Sequence, residues 1–137
     1  MEKTRLLVID DNEALVDYFS SHELINIAFK AYTGEEGINL IEKNLNDYDV
    51  IILDLIMPKK DGIYVLEEMK KRNIYKPVII STSYNSDEMI RRVSEYGVHY
   101  FLLKPYELSD LENRILEASN VREKENKNIN IEPYKKM

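Results

Sequence analysis

Residues 51–62 read IILDLIMPKKDG. With Val50, the first three form an apolar run without alternation, which suits a short strand covered on both faces, as in a parallel sheet. Asp54 follows at once, amid apolar neighbours and four residues before Pro58. A buried carboxylate without partners costs several kcal/mol, a large part of a domain's margin of stability, so this charge needs somewhere to go.

Working outward, three runs of the same kind appear at Leu6–Ile9, Val78–Ile80 and Phe101–Leu103, and a weaker one at Ile27–Tyr32 suits a strand nearer an edge. Helical spacing lies between them. Ala14, Leu15, Tyr18 and Phe19 share one face; so do Ile38, Ile41 and Leu45, then Ile63, Leu66 and Met69, then Met89, Ile90 and Val93, and last Leu111, Ile115 and Ala118. Thr33 with Glu36, Asn85 with Glu88, and Ser109 with Glu112 have the spacing of capping boxes, and Asn73 and Tyr96-Gly97 stand where helices should stop. The βα alternation occurs five times. Right-handed crossovers then predict a flavodoxin-like (βα)5 doubly wound sandwich around a five-stranded parallel sheet.

A chain of 137 residues, 44% hydrophobic and 32% charged, is long enough for one well-filled core. No cysteine is present, which removes disulfides and thiolate sites, and His22 and His99 stand apart, so oxygen ligands are what remain for a metal. After Ser119 five basic residues face three acidic ones, so the net charge of -6 for the chain leaves -8 on residues 1–119. That acidity argues against nonspecific nucleic-acid binding by the globular part. MEKTRLLVIDD has no signal-peptide core and no apolar run reaches a bilayer's span, so a cytoplasmic location with no membrane partner is expected. Residues 120–137, polar and rich in Asn and Lys, read as a linker or tail.

In open α/β sheets, sites lie beyond the carboxyl ends of the strands. The strands here end in Asp10-Asp11, Asp54, Ser81-Thr82-Ser83 and Lys104-Pro105. Taken singly, each has an ordinary explanation: Asp10-Asp11 an acidic helix start with Asn12 as cap, Asp54 a turn residue, Lys104 a solvated lysine, Thr82 a partner for backbone groups, Phe101 a core aromatic. Their coincidence at one edge points elsewhere. Three converging carboxylates repel unless a hard divalent cation and an ammonium group balance them, which suits Mg²⁺, with Lys104 and Thr82 free to address phosphate oxygens. This is a phosphoryl-transfer constellation.

The pair Asp10-Asp11, the D-x-x-M-P-x-x-D-G pattern from Asp54 to Gly62, PVIIST from Pro77 to Thr82 and YFLLKP from Tyr100 to Pro105 resemble the receiver domains of two-component response regulators, over roughly residues 3–119. The resemblance implies a receiver at 1–119 and a signalling switch, not an enzyme, that assists its own phosphorylation and dephosphorylation. Asp54 would accept a phosphoryl group from a phosphohistidine on a histidine kinase or histidine phosphotransferase. Asp11 would bind Mg²⁺ directly and Asp10 largely through water, with Asp54 and the backbone carbonyl of Ile56 completing the protein ligands. Thr82 and Lys104 would contact phosphoryl oxygens, Phe101 would be the switch aromatic, and the Lys104-Pro105 bond would be cis. The fourth helix, fifth strand and fifth helix, roughly residues 87–119, would form the responding surface, used for homodimerisation or partner binding. The stretches LDLIMPKKDGIYVLEEM and YFLLKPYELSDLENRI are most similar to the receiver of a sporulation master regulator. That implies transcriptional control of sporulation, with DNA bound only through a C-terminal domain absent from this chain and reached through residues 120–137. Ser83 departs from the small apolar residue usual there, which bears on the lifetime of an acyl phosphate.

Three other classes compete, besides a stand-alone phosphorelay intermediate. A Mg²⁺-dependent aspartyl-phosphate phosphohydrolase wants a second acid two residues after the nucleophile, where this chain has Ile56. A mononucleotide binder wants a Ser/Thr/Gly-rich phosphate loop after the first strand, where this chain has acids. A receiver that had lost phosphorylation would not keep the full set of Asp10, Asp11, Asp54, Thr82 and Lys104.

Overall fold

The computed structural model describes residues 4–23, 25–57, 61–83, 86–98 and 100–126, with side chains through residue 119. The elements run β1 (Arg5–Ile9), α1 (Glu13–Ser20), β2 (Asn26–Ala31), α2 (Gly34–Lys43), β3 (Val50–Leu53), α3 (Gly62–Lys71), β4 (Val78–Thr82), α4 (Asp87–Ser94), β5 (Tyr100–Leu103) and α5 (Leu108–Asn126). All strand pairs are parallel, in the order β2-β1-β3-β4-β5. β1, β3 and β4 are the inner strands, which explains their unbroken apolar runs; β2, on an edge, alternates between exposed and half-buried residues.

Each face of the sheet carries its own core. Ile38 and Ile41 of α2, Ile63, Leu66 and Met69 of α3 and Val93 of α4 pack on Leu7, Ile9, Ile51, Leu53 and Ile80. Val16 and Phe19 of α1 and Leu111, Ile115 and Ala118 of α5 pack on Leu6, Val8, Ile52 and Ile79. The alternation along each strand sends successive residues to opposite cores, the geometry of a doubly wound sandwich.

Several local expectations change. α1 buries Val16 and Phe19 and leaves Ala14 and Tyr18 exposed, so its inner face is rotated from the one the spacing suggested. Leu45 lies beyond α2 and is exposed. The cap of α4 is Ser86, whose hydroxyl accepts the Met89 N–H at 3.1 Å; Asn85 lies outside the described residues, as do Pro58 and His99. Ser109 sits inside the first turn of α5, whose start is tied instead by Asp110 accepting the Glu107 N–H at 3.2 Å. Thr33 does cap α2, and Glu36 reaches back to the Tyr32 N–H. Asn73 and Gly97 adopt positive φ after α3 and α4, as the helix stops required. α5 continues through Asn126, past the end expected of the core.

Candidate functional site

The site forms where the strand order reverses. β1 lies between β2 and β3, and Ile9 pairs with Leu53, so the next residues of each strand, Asp10 and Asp54, emerge side by side at the carboxyl edge. Main-chain bonds fix both: the Asp10 N–H donates to Ala31 and the Asp54 N–H to Ile9, each at 3.0 Å. α3 is docked against this edge. Its first residue, Gly62, donates its N–H to the Leu55 carbonyl at 3.1 Å, and a Cβ on Gly62 would lie 2.5 Å from the Asp54 carbonyl oxygen and 2.8 Å from Leu55 Cα. Gly62 is therefore required by close backbone approach. Asp61 caps the same helix through the Tyr64 N–H at 3.1 Å.

Asp10, Asp11 and Asp54 present carboxylate oxygens within 4.8 Å of one another. Asp10 and Asp54 are buried and Asp11 is exposed. The Lys104 ammonium joins the two buried acids, 2.7 Å from Asp10 Oδ2 and 3.3 Å from Asp54 Oδ2. The remaining oxygens accept backbone N–H groups, Asp10 Oδ1 from Asn12 at 2.9 Å and Asp54 Oδ1 from Ile56 at 3.2 Å. Asn12 also caps α1 through the Leu15 N–H, so the ordinary reading of the acidic helix start and the site reading both hold. The carboxylate that seemed misplaced in the sequence thus has its partners.

Burial pushes the Asp10 carboxyl up from the usual carboxylate range, against the hydrogen bonds from Lys104 and the Asn12 N–H. Burial also works against the Lys104 ammonium, but Asp10 and Asp54 outweigh it and hold Lys104 above its ordinary value, so the lysine stays charged. One ammonium against three carboxylates leaves an excess of negative charge at a solvent-reachable edge built of hard oxygen donors. Those donors fit Mg²⁺.

Thr82 and the Lys104-Pro105 bond adjoin this centre, and Phe101 packs against a core of the sheet. Thr82 ends β4, buried, and its carbonyl accepts the Lys104 N–H at 2.9 Å. The Lys104-Pro105 bond is cis. Ile56, whose N–H is bonded to Asp54, is 49% exposed. Phe101 is half-buried against the α2/α3/α4 core, and its carbonyl accepts Arg114 Nε at 3.5 Å. Next to Lys104 a groove of about 410 Å³ runs between α1 and the loop after β5, its apolar lining drawn from Leu15, Tyr18, Phe19, Pro105, Tyr106 and Leu108 and its polar lining from Asn12, Ser83 and Lys104. Two features had no clear sequence signal: the clash that reserves Gly62, and a hydrogen bond between Ser81 and Tyr106.

Residues 6–116 match the response regulator receiver domain family. The chain belongs to that family. This receiver is 29% identical over 124 residues to the probable C4-dicarboxylate response regulator DctR of Bacillus subtilis; the match covers 88% of this chain and 54% of that protein, so the chain spans about half the length of that relative. Among solved structures it is similar to the signal receiver domain of a putative LuxO repressor protein from Vibrio parahaemolyticus, with a TM-score of 0.81, 26% identity, and 91% of this chain and 96% of the other covered. A CheY-like response regulator receiver domain protein from Methanospirillum hungatei gives a TM-score of 0.80 at 27% identity, covering 90% and 99%. Receivers of this family are phosphorylation-type signalling switches of two-component systems, and the acidic pocket of Asp10, Asp11 and Asp54 is where such a domain binds Mg²⁺.

Proposed function

We propose that Asp54 is the phosphoacceptor of this receiver, taking a phosphoryl group from a phosphohistidine on a histidine kinase or histidine phosphotransferase. The observation that carries the reading is Lys104 bridging Asp10 and Asp54 while Asp11 stands exposed beside them. An Asp54 carboxylate oxygen attacks phosphorus, the P–N bond to the donor imidazole breaks with its electron pair staying on nitrogen, and the imidazole takes up a proton. The product on this chain is a mixed anhydride. Lys104 and Thr82 steady the phosphoryl oxygens, while Asn12 and Ile56 hold the two acids in place through their N–H groups. Asp10 holds Lys104 and the Asn12 N–H at 2.7 and 2.9 Å, whereas Asp54 holds Lys104 and the Ile56 N–H more loosely, at 3.3 and 3.2 Å, and Asp11 is exposed; this favours Asp11, Asp54 and the Ile56 carbonyl as direct metal ligands and Asp10 as a partner through water. Bound there, Mg²⁺ would supply neutralisation of the carboxylates and of charge on the transferring group. Ile56 offers no acid to protonate a leaving group, which speaks against a phosphohydrolase.

The acyl phosphate carries about -1.5 to -2 where the carboxylate carried -1, and its oxygens draw Thr82 and let Phe101 change its packing, so α4, β5 and α5 report the modification. Leu103 and Leu116 are exposed on that surface, 45% and 61%, as suits homodimerisation or partner docking. Residues 1–119 form the receiver and 120–137 its linker, leading to a C-terminal DNA-binding domain through which alone DNA would be met. The Bacillus subtilis relative is named a response regulator; regulation of transcription and a sporulation role rest on two stretches resembling stage 0 sporulation protein A. Among the described residues no helix is long and apolar enough to cross a membrane, and a cytoplasmic site of action goes with a kinase-fed donor.

Incubation with acetyl phosphate and Mg²⁺, followed by intact-mass measurement, tests the reading. One phosphoryl group should be gained by the wild type and none by Asp54→Ala. No gain in the wild type, or a gain that persists in the variant, overturns it.

A further inference from the structure

Beyond the groups that meet the phosphoryl oxygens, β4 and the loop after β5 share a second link. Ser81, the residue before Thr82, is fully buried, and its hydroxyl lies 2.7 Å from the Tyr106 hydroxyl. The Tyr106 ring stands against Phe19 of α1, with ring centroids 6.4 Å apart. β5 ends at Leu103, opposite Thr82, and the Lys104 N–H makes the last bond to β4, at the Thr82 carbonyl. Lys104 and Pro105 are thus tied to consecutive residues of β4 on both sides, by main chain before them and by the Tyr106 side chain after them.

A lysine is a point charge on a flexible four-carbon stem, so keeping it on two carboxylates at 2.7 and 3.3 Å depends on where its backbone is held. Without the second tie, the chain after β5 would be hydrogen-bonded to β4 on one side only, with the Tyr106 ring left to its packing on Phe19. On the phosphotransfer reading above, we propose that Ser81 and Tyr106 are positioning residues for Lys104, one hydrogen bond between them holding the loop so that the ammonium stays on Asp10 and Asp54 and meets the transferring group. Neither side chain touches that group. Because Tyr106 also lines the α1 groove with Leu15, Tyr18 and Phe19, whatever presses into that groove bears on the same bond.

Tyr106→Phe removes only the hydroxyl and keeps the ring on Phe19; Ser81→Ala removes the other half. With acetyl phosphate and Mg²⁺, each variant should lose about 3–10-fold in maximal phosphorylation rate, with half-saturating acetyl phosphate and Mg²⁺ changed less than about twofold. The double variant should be no slower than the slower single, since both remove one bond. In ¹H–¹⁵N spectra of the unphosphorylated full chain, the Lys104 ammonium signal should shift or broaden in both variants, which a merely structural role would not produce. Unchanged rates, losses that multiply in the double variant, or an unmoved Lys104 signal overturn the proposal. A wild type that takes no phosphoryl group sinks the phosphotransfer reading instead, and the Lys104 signal then decides the positioning role by itself.

Discussion

Replacing Lys104 by methionine keeps most of the stem's packing and deletes the charge. Asp10 is then left with the Asn12 N–H and Asp54 with the Ile56 N–H, while their side chains are only 3% and 9% exposed and Asp11 adds a third negative charge within 4.8 Å. Removing one partner of a buried ion pair costs about 3–5 kcal/mol, but the Lys104 side chain is 21% exposed and water reaches its end, so about 2 kcal/mol is expected here. For a domain of this size that lowers Tm by roughly 6–10 °C. Thermal melts followed by circular dichroism, in chelator and in excess Mg²⁺, measure it. The deficit should be full in chelator and fall below about 1 kcal/mol with saturating Mg²⁺, because a bound cation again balances the acids and stabilises the folded state. A Lys104→Met protein as stable as wild type in chelator, or a deficit that Mg²⁺ leaves untouched, would refute the electrostatic reasoning.

Other perturbations probe separate links. Gly62→Ala should destabilise the fold by about 1–3 kcal/mol in denaturant titrations, because its Cβ must displace the strand end carrying Asp54, outweighing any gain in helix propensity. Asp11→Asn, at an exposed position, should change stability in chelator by less than about 1 kcal/mol yet abolish most of the Mg²⁺-induced rise in Tm. The Tyr48 side chain is buried, its hydroxyl donating to the Ile41 carbonyl at 3.0 Å, and burial pushes its phenol far above the ordinary value. The unfolded chain then ionises first, so stability is whole below about pH 10 and declines as pH rises from there towards the folded-state value. Tyr48→Phe should flatten that alkaline decline in pH-dependent melts, and an unchanged slope would count against the assignment.

The inner strands were legible because burial on both faces leaves no polar residue inside the run: Val50–Leu53 and Val78–Ile80 could be little else. The acids and Lys104 were legible for the opposite reason, as polar residues abutting apolar strands at positions the topology brings together. Helix faces were less so. Tyr18 has the spacing of a core residue but borders a groove, and only the assembled core, where Val16 joins Leu6, Val8 and Leu111, shows that Val16 takes the inner place. Caps depend on a single dihedral choice, so the sequence offers Ser86 and Asn85 alike, and only the extended backbone of Ser86, with its hydroxyl on the Met89 N–H, marks it as the cap. The reservation of Gly62 and the Ser81–Tyr106 bond join residues that no periodicity links, and they emerge only once the strands are paired.

The account stands on Asp54 as the residue that carries the phosphoryl group. Borohydride reduces an aspartyl phosphate to homoserine, which marks the acceptor permanently. After acetyl phosphate and Mg²⁺, peptide mass spectrometry should find homoserine at position 54 and nowhere else. Homoserine at Asp10 or Asp11 instead, or none at all in protein that has gained a phosphoryl group, would contradict the central claim.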